Sequence, residues 1–150
     1  MNIKKIFNTK KFFIVGVGGS GMSSIAKYLS ESGSTVQGYD QRKSSITNQL
    51  LKLGIKVTHD IDFNIPNESL VITSSAIQED NNLIQKAISK GLTVTDRPEF
   101  LTKLTNNYRT IGIAGTHGKT TTTALLSHIY QYSNINHSYI YGGMTSYSGI

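Results

Sequence analysis

Apolar residues in this chain come in short bursts, separated by helical repeats and punctuated by glycine. Phe12-Phe13-Ile14-Val15-Gly16-Val17 is a compact run of β-formers ending in glycines, as a buried strand does. Met22, Ile25, Ala26 and Leu29 then fall at i, i+3, i+4 and i+7, one face of a helix, and Gly33 is placed to cap it. Thr35 to Tyr39 predicts a second strand closing on Asp40. Leu50, Leu51 and Leu53 predict a second helix stopped by Gly54, and Ile55-Lys56-Val57 predicts a brief third strand. A polar loop from Asp60 to Asn67 follows. Leu70-Val71-Ile72-Thr73 reads as a fourth strand ending in Ser74-Ser75, Leu83, Ile84, Ala87 and Ile88 as a helix ended by Gly91, and Leu92-Thr93-Val94 as a fifth strand. Pro98 stands where a further helix begins, with Phe100, Leu101 and Leu104 on its apolar face.

Alternating strands and helices predict right-handed crossovers and a parallel sheet, an α/β fold of the Rossmann-like kind. In such sheets ligands bind beyond the carboxyl ends of the strands. The informative residues are therefore Gly16 to Gly21, Asp40, and Ser74 to Ala76. Thr105-Asn106-Asn107-Tyr108-Arg109 interrupts the pattern, which sets a domain boundary: residues 1–107 form the Rossmann-like unit and 108–150 begin a second one. The second unit restarts with a strand over Thr110 to Ala114, a glycine loop, a helix carrying Leu125, Leu126 and Ile129, and a strand over Ser138 to Tyr141. That is too little for an independent core of normal size, so this unit reads as the start of a P-loop α/β domain that is cut short.

Composition narrows the chemistry. The 150 residues contain no cysteine, which excludes a disulfide scaffold, a thiolate zinc site, an iron–sulfur cluster and a cysteine nucleophile. The formal charge is +6, from 15 basic and 9 acidic residues. Lys4, Lys5, Lys10 and Lys11 cluster near the start, but the other cations are dispersed among acids, which favours a solvated surface over a nucleic-acid patch. A basic surface also suits anionic nucleotides. No stretch approaches the ~18 apolar residues of a membrane span. The basic start lacks a long apolar region and a small-residue cleavage site, so it reads as an arm and not a secretory signal, with the cytoplasm as the expected compartment.

Two glycine loops carry the chemistry. Gly16-Val17-Gly18-Gly19-Ser20-Gly21 matches G-x-G-x-x-G between a strand and a helix. Glycines let the chain turn tightly and approach a diphosphate, and the helix N-terminus offers free N–H groups and the positive end of its dipole. Asp40 follows at the end of the second strand, where a carboxylate can accept from a ribose diol; on this pattern alone NAD would be the first ligand considered. The second loop is Gly115-Thr116-His117-Gly118-Lys119-Thr120-Thr121. Its Gly-Lys-Thr is the core of a P-loop: backbone N–H groups wrap nucleotide phosphates, Lys119 supplies a point charge, and the Thr120 hydroxyl can ligate Mg²⁺. The strict P-loop would need glycine at position 113, where Ile113 stands. A diphosphate-binding unit followed by an ATP-binding unit points to a reaction that joins a nucleotide-linked substrate to ATP chemistry. Two other readings use part of the pattern: a nicotinamide-dependent oxidoreductase domain, which leaves Lys119 unexplained, and a non-catalytic nucleotide-binding module.

On these residues the chain resembles the Mur ligases, enzymes of peptidoglycan synthesis. The stretches that carry the resemblance are Phe13 to Ser23, Gly38-Tyr39-Asp40, Ser74 to Asn81, Arg97 to Leu101 and Ala114 to Thr122, in family order. His117 favours the alanine-adding branch, since other muropeptide ligases usually carry Asn or Ser there; the murein-peptide-recycling branch shares the histidine but differs in the first loop. The resemblance implies that the first unit holds UDP-N-acetylmuramate and not NAD. Gly16, Gly18, Gly19, Ser20, Gly21 and Met22 would form that site, with Gly18 to Met22 facing the diphosphate. Asp40 would lie near the uridine, and Ser74, Ser75 and Ala76 near the phosphates or sugar. Gly115, Thr116, His117, Gly118, Lys119, Thr120 and Thr121 would hold ATP, with Mg²⁺ on Thr120. Lys119 and Thr120 would support phosphoryl transfer, and His117 would position phosphate or substrate. The implied reaction phosphorylates the muramate lactyl carboxylate, and the L-alanine amine attacks the acyl phosphate to form an amide.

Family members continue through the rest of the ATP domain and a C-terminal domain, which carry the remaining Mg²⁺ ligands and much of the amino-acid site. The chain is therefore expected to bind the UDP-sugar yet not to form the amide alone. It reads as a truncated product, a partial gene product, or one half of a split enzyme whose other part is a separate chain. The remaining polar residues have simpler readings. His59, His128 and His137 lack partners at metal-ligand spacing and read as surface or half-buried groups. Asp60 and Asp62 read as solvated loop acids, Tyr139 and Tyr141 as packing residues, and Glu79-Asp80-Asn81 as a polar helix start. Arg97 suits either an anionic group or a surface salt bridge.

Overall fold

The computed structural model describes residues 10–78 and 80–141. Five strands, β1 (Lys11–Val15), β2 (Thr35–Tyr39), β3 (Lys56–Thr58), β4 (Leu70–Thr73) and β5 (Thr93–Asp96), form one sheet in the order β3-β2-β1-β4-β5, with every pairing parallel. Helices α1 (Ser20–Glu31), α2 (Ser45–Lys52), α3 (Asn82–Ser89) and α4 (Arg97–Thr105) connect or follow the strands. A fifth, α5 (Lys119–Tyr132), lies beyond the sheet in sequence. The predicted α/β class and parallel sheet are what the structure shows.

Both faces of β1 are buried, which is why its sequence is continuously apolar and does not alternate. Phe12 and Ile14 face a core shared with α1, α2 and α4, while Phe13 and Val15 face a second core shared with α3. Edge-on packing of Phe12 on Phe100, with ring centroids 6.3 Å apart, joins β1 to α4. On the other face Phe13 stacks on Phe63 at 5.8 Å. The segment from Asp60 to Asn67, expected to be a polar loop, is thus part of the core: Ile65 is only 1% exposed. Lys86 of α3 and Lys90, which caps its end, hold it down, Lys86 donating to Asp62 Oδ1 at 2.7 Å and Lys90 to the Ile65 carbonyl at 2.9 Å.

Helix ends follow the sequence signals closely. Gly33, Gly54 and Gly91 each take a positive φ just past α1, α2 and α3. The next residue then donates back into the last turn: Ser34 to the Leu29 carbonyl, Ile55 to Leu50 and Leu92 to Ala87, each at 3.0 Å. This closure turns the chain directly into the following strand. Ser44 and Thr47 form a reciprocal capping box at the start of α2. Asp96 caps α4, with Pro98 in its first turn.

Of the leucines that predict α2, Leu50 enters the core while Leu51 and Leu53 are exposed, at 48% and 55%. Two expectations differ from the structure. Thr110 to Ala114 and Ser138 to Tyr141 are not strands: among the described residues neither segment pairs with a strand of the sheet. A strand exists only by pairing, and the apolar run alone does not supply a neighbour. For the same reason α5 buries none of its residues, and Leu125 and Ile129 are exposed at 60% and 56%. Ile140 nevertheless packs against the first core. Tyr28 of α1 meets Tyr108, and burial together with that hydrogen bond pushes the Tyr28 phenol up to about 12.

Candidate functional site

Successive connections leave β1 and β4 in opposite directions along the sheet, opening a crevice at their carboxyl ends where doubly wound folds take ligands. The first glycine loop lies in that crevice. Gly16 turns with φ +80°, and its N–H and that of Val17 both donate to the Tyr39 carbonyl, at 2.8 and 3.0 Å. Gly19 donates back to the Gly16 carbonyl at 3.1 Å and stands as the N-cap of α1, with no side chain capping the helix. Ser23 makes the first helical bond, to the Gly19 carbonyl. Ser20, Gly21 and Met22 are the first three helical residues, whose N–H groups have no carbonyl one turn behind them. Met22 can contribute only this backbone group, because its side chain is buried in the first core.

Asp40 sits directly over the loop. Its Oδ2 accepts from the Gly18 N–H at 2.7 Å and its Oδ1 from the Arg42 N–H at 3.0 Å. A side chain on Gly18 would have its Cβ 2.7 Å from Oδ2, so this glycine is required by the carboxylate and not only by a ligand. Asp40 therefore shapes the loop, leaving its remaining lone pairs for a diol. His59, which the sequence reads as a surface or half-buried group without a ligand role, is half-buried at the same edge: its Nδ1 lies 2.7 Å from the Asp40 carbonyl oxygen. The available signal was its position, directly after β3 as Asp40 is directly after β2. Ser74 also meets the loop, since a Cβ on Gly16 would fall 3.2 Å from the Ser74 Cβ. Ser74 Oγ accepts from the Ala76 N–H at 3.3 Å, making a tight turn that leaves Ser75 and Ala76 exposed beside the crevice. Gly16 to Met22, Asp40 and Ser74 to Ala76 are thus gathered at one edge.

Arg97 joins them from the other side. Its guanidinium lies against the first turn of α1, where a Cβ on Gly21 would come 2.7 Å from Cζ. The surface salt bridge considered for it is not formed among the described residues. Glu99, its neighbour in α4, is instead held below the ordinary carboxylate range, by Lys103 first and then by the Thr95 hydroxyl at 2.7 Å.

The second loop has the same construction in a more open setting. Gly115 and Gly118 take φ +151° and +79°, and Gly118 is the N-cap of α5, again without a side-chain cap. Lys119, Thr120 and Thr121 are the first helical residues, exposed and with free N–H groups by position. The Lys119 ammonium folds back over the loop, donating to the carbonyls of Gly115 and, at 3.1 Å, Thr116. Among the described residues the ammonium is tethered only to these exposed loop carbonyls. Thr120 stands exposed at the helix start, the position from which a hydroxyl reaches a phosphate-bound cation. His117 is exposed on the loop. Among the described residues no three His, Asp or Glu side chains gather as a metal site.

A five-stranded parallel sheet with a glycine loop opening α1, followed by a second glycine loop opening α5, defines an α/β protein of Rossmann-like topology. Comparison with known proteins places it more narrowly. Residues 11–109 match the model of the Mur ligase family, catalytic domain, and the chain belongs to that family. The UDP-N-acetylmuramate–L-alanine ligase of Porphyromonas gingivalis is 38% identical over 144 residues, 91% of this chain, and that of Lawsonia intracellularis is 41% identical over 142 residues, 93% of this chain. The chain spans about a third of these relatives, 32% and 31% of their lengths. Among solved structures, the UDP-N-acetylmuramate–alanine ligase of Thermotoga maritima superposes with a TM-score of 0.72 at 31% identity, covering 83% of this chain and 30% of that one. The UDP-N-acetylmuramate:L-alanyl-γ-D-glutamyl-meso-diaminopimelate ligase from Neisseria meningitides gives 0.79 at 26% identity, covering 95% and 45%. All of these are ligases, and the oxidoreductase alternative has no support among them.

Proposed function

We propose that the chain carries the two nucleotide-binding loops of an ATP-dependent ligase that joins L-alanine to UDP-N-acetylmuramate. The observation that carries this reading is the recurrence, in one chain, of a glycine loop opening a helix with no side-chain cap: α1 for the UDP diphosphate and α5 for the ATP phosphates. The ligase relatives support the substrate assignment. On this reading residues 1–107 bind the UDP-sugar and residues 108–150 begin the ATP-binding domain. The γ-phosphoryl group passes from ATP to the lactyl carboxylate, releasing ADP. The alanine amine then attacks the acyl phosphate and expels inorganic phosphate. Lys119 balances charge on the transferring group, and the loop N–H groups orient it. Mg²⁺, when bound through Thr120, neutralises phosphate charge.

His117 is assigned to positioning phosphate within the loop, and Ser74, Ser75 and Ala76 to the sugar side of the crevice. The setting is the cytoplasm, where UDP-sugars and ATP are available; among the described residues no helix is long and apolar enough to cross a membrane. Nucleic acid has no part in the reading. The chain alone is assigned binding and not amide formation, with the rest of the ATP site supplied by further sequence or a separate chain.

Titrating the chain with UDP-N-acetylmuramate, NADH and Mg·ATP tests this. Binding of the UDP-sugar without NADH is the expected result. Saturable NADH binding with no response to the UDP-sugar would overturn it.

A further inference from the structure

On the ligase reading, the lactyl carboxylate held at the first loop must meet the γ-phosphate held at the second, so the spacing of the two loops governs the reaction. Units joined in one chain move relative to one another unless their contacts prevent it. Helix α5, which opens with the second loop, buries none of its residues and so does not fix itself. The two ends of its unit are fastened instead, and both land on α1, the helix that opens with the first loop.

At the near end the boundary segment is tied down. Asn107 Nδ2 donates to the Lys103 carbonyl at 2.8 Å, and the Thr110 hydroxyl to the Thr105 carbonyl at 3.1 Å. Between them the Tyr108 hydroxyl is hydrogen-bonded to that of Tyr28. At the far end the Ser24 hydroxyl donates to the Tyr141 carbonyl, and Ile140 packs on the first core. Ser24 and Tyr28 stand four residues apart in α1 and so share one helix face. The far end is in turn tied to α5. The rings of Tyr141 and Tyr139 stack at 5.2 Å, and Tyr139 meets His137 at 6.3 Å. His137 Nδ1 lies 2.9 Å from the Ile135 carbonyl, which can only accept; in the neutral ring Nε2 then receives the Ser127 hydroxyl of α5 at 2.8 Å. A continuous run of contacts therefore joins α1 to α5.

We propose that Ser24 and Tyr28 are positioning residues: the face of α1 that they share seats the second unit and so sets the place of the second glycine loop relative to the first. One helix then does two things, presenting the first loop at its start and carrying the other unit along its side. The purpose of this seat rests on the ligase reading; its existence does not.

The chain has no cysteine, so Lys52→Cys on α2 and Gln131→Cys on α5, both exposed, take spin labels at defined places. Pulsed electron–electron resonance of the labelled full chain is expected to give one narrow distance distribution. Tyr28→Phe keeps the ring and loses the hydroxyl, and it should broaden the distribution. Tyr108→Phe should broaden it equally, and the two together should add nothing, because both changes remove one bond. Ser24→Ala with Tyr28→Phe should broaden it furthest. The melting temperature should stay within a few degrees, and calorimetric affinities for UDP-N-acetylmuramate and for Mg·ATP, titrated singly, should stay within about twofold, since the seat places the loops and does not build them. A wild-type distribution as broad as that of the variants overturns the proposal. So does an unchanged distribution in the Ser24→Ala, Tyr28→Phe chain, or a loss of either affinity in Tyr28→Phe, which would place Tyr28 in ligand binding. A wild-type chain that keeps one distance yet binds neither ligand supports the seat and overturns the ligase reading.

Discussion

The carboxylate of Asp40 receives the amide hydrogen of Gly18 at 2.7 Å, so the residue ending β2 holds the glycine loop that follows β1. The two strands are hydrogen-bonded neighbours in register, Val15 opposite Tyr39, and their C-terminal extensions therefore meet. The loop is pre-formed by the protein before any ligand arrives, and two substitutions probe that bond. Asp40→Ala leaves the Gly18 donor unmet and should cost about 1–2 kcal/mol in urea unfolding. Gly18→Ala should cost more, because its Cβ would meet Asp40 Oδ2 at 2.7 Å and Thr47 Cγ2 at 3.1 Å. In an Asp40→Ala background the Gly18→Ala penalty should shrink; equal penalties in both backgrounds would show that the carboxylate is not what demands glycine.

Gly38, inside β2, has a comparable role under the loop. A Cβ there would stand 2.7 Å from the Cβ of Val17, whose side chain is fully buried. Gly38→Ala should destabilise by about 1–3 kcal/mol through overpacking. Adding Val17→Ala should return part of that loss in the same unfolding assay, although it opens a small cavity of its own.

Among the described residues Lys119 donates hydrogen bonds only to exposed carbonyls of its own loop. Lys119→Ala should therefore leave thermal stability unchanged within about 0.5 kcal/mol. It should weaken Mg·ATP at least tenfold and leave UDP-N-acetylmuramate within twofold, since the proposed function gives each ligand its own loop. If both affinities fell together, the division into two sites would be wrong.

Glu99 gives a pH prediction. Its carboxyl is held below the ordinary range by Lys103 and Thr95. A depressed folded-state value means that this contribution is fully present above the unfolded value of about 4.3 and is lost as pH falls through the folded value. Unfolding free energy measured from pH 6 down to 3 should therefore fall less steeply for Glu99→Gln than for the wild type. The effect is small, because both partners reach solvent. Identical slopes would show that the pair contributes nothing.

Much of this arrangement is legible in the residues. The β1 run, the glycines that close α1, α2 and α3, and both glycine loops are local signals, each set by residues within a turn of one another. What escaped is what the fold brings together from afar. Phe63 and Ile65 read as loop residues because their burial depends on Phe13 and on Lys90 at the end of α3. His59 gains a place at the site only through the Asp40 carbonyl. Arg97 lies on Gly21 only because α4 and α1 share a face of the sheet. Thr110 to Ala114 failed in the opposite way: its sequence favours a strand, but pairing is a tertiary property, and among the described residues it has no neighbour.

Backbone amide chemical shifts of the ¹⁵N-labelled chain, followed while UDP-N-acetylmuramate is added, test the central claim most directly. The account predicts saturable shifts concentrated at Gly18 to Met22, with Asp40 and the Ser74 to Ala76 turn responding and Gly115 to Thr121 still. Shifts confined to Gly115 to Thr121, or none at a saturating concentration, would contradict it.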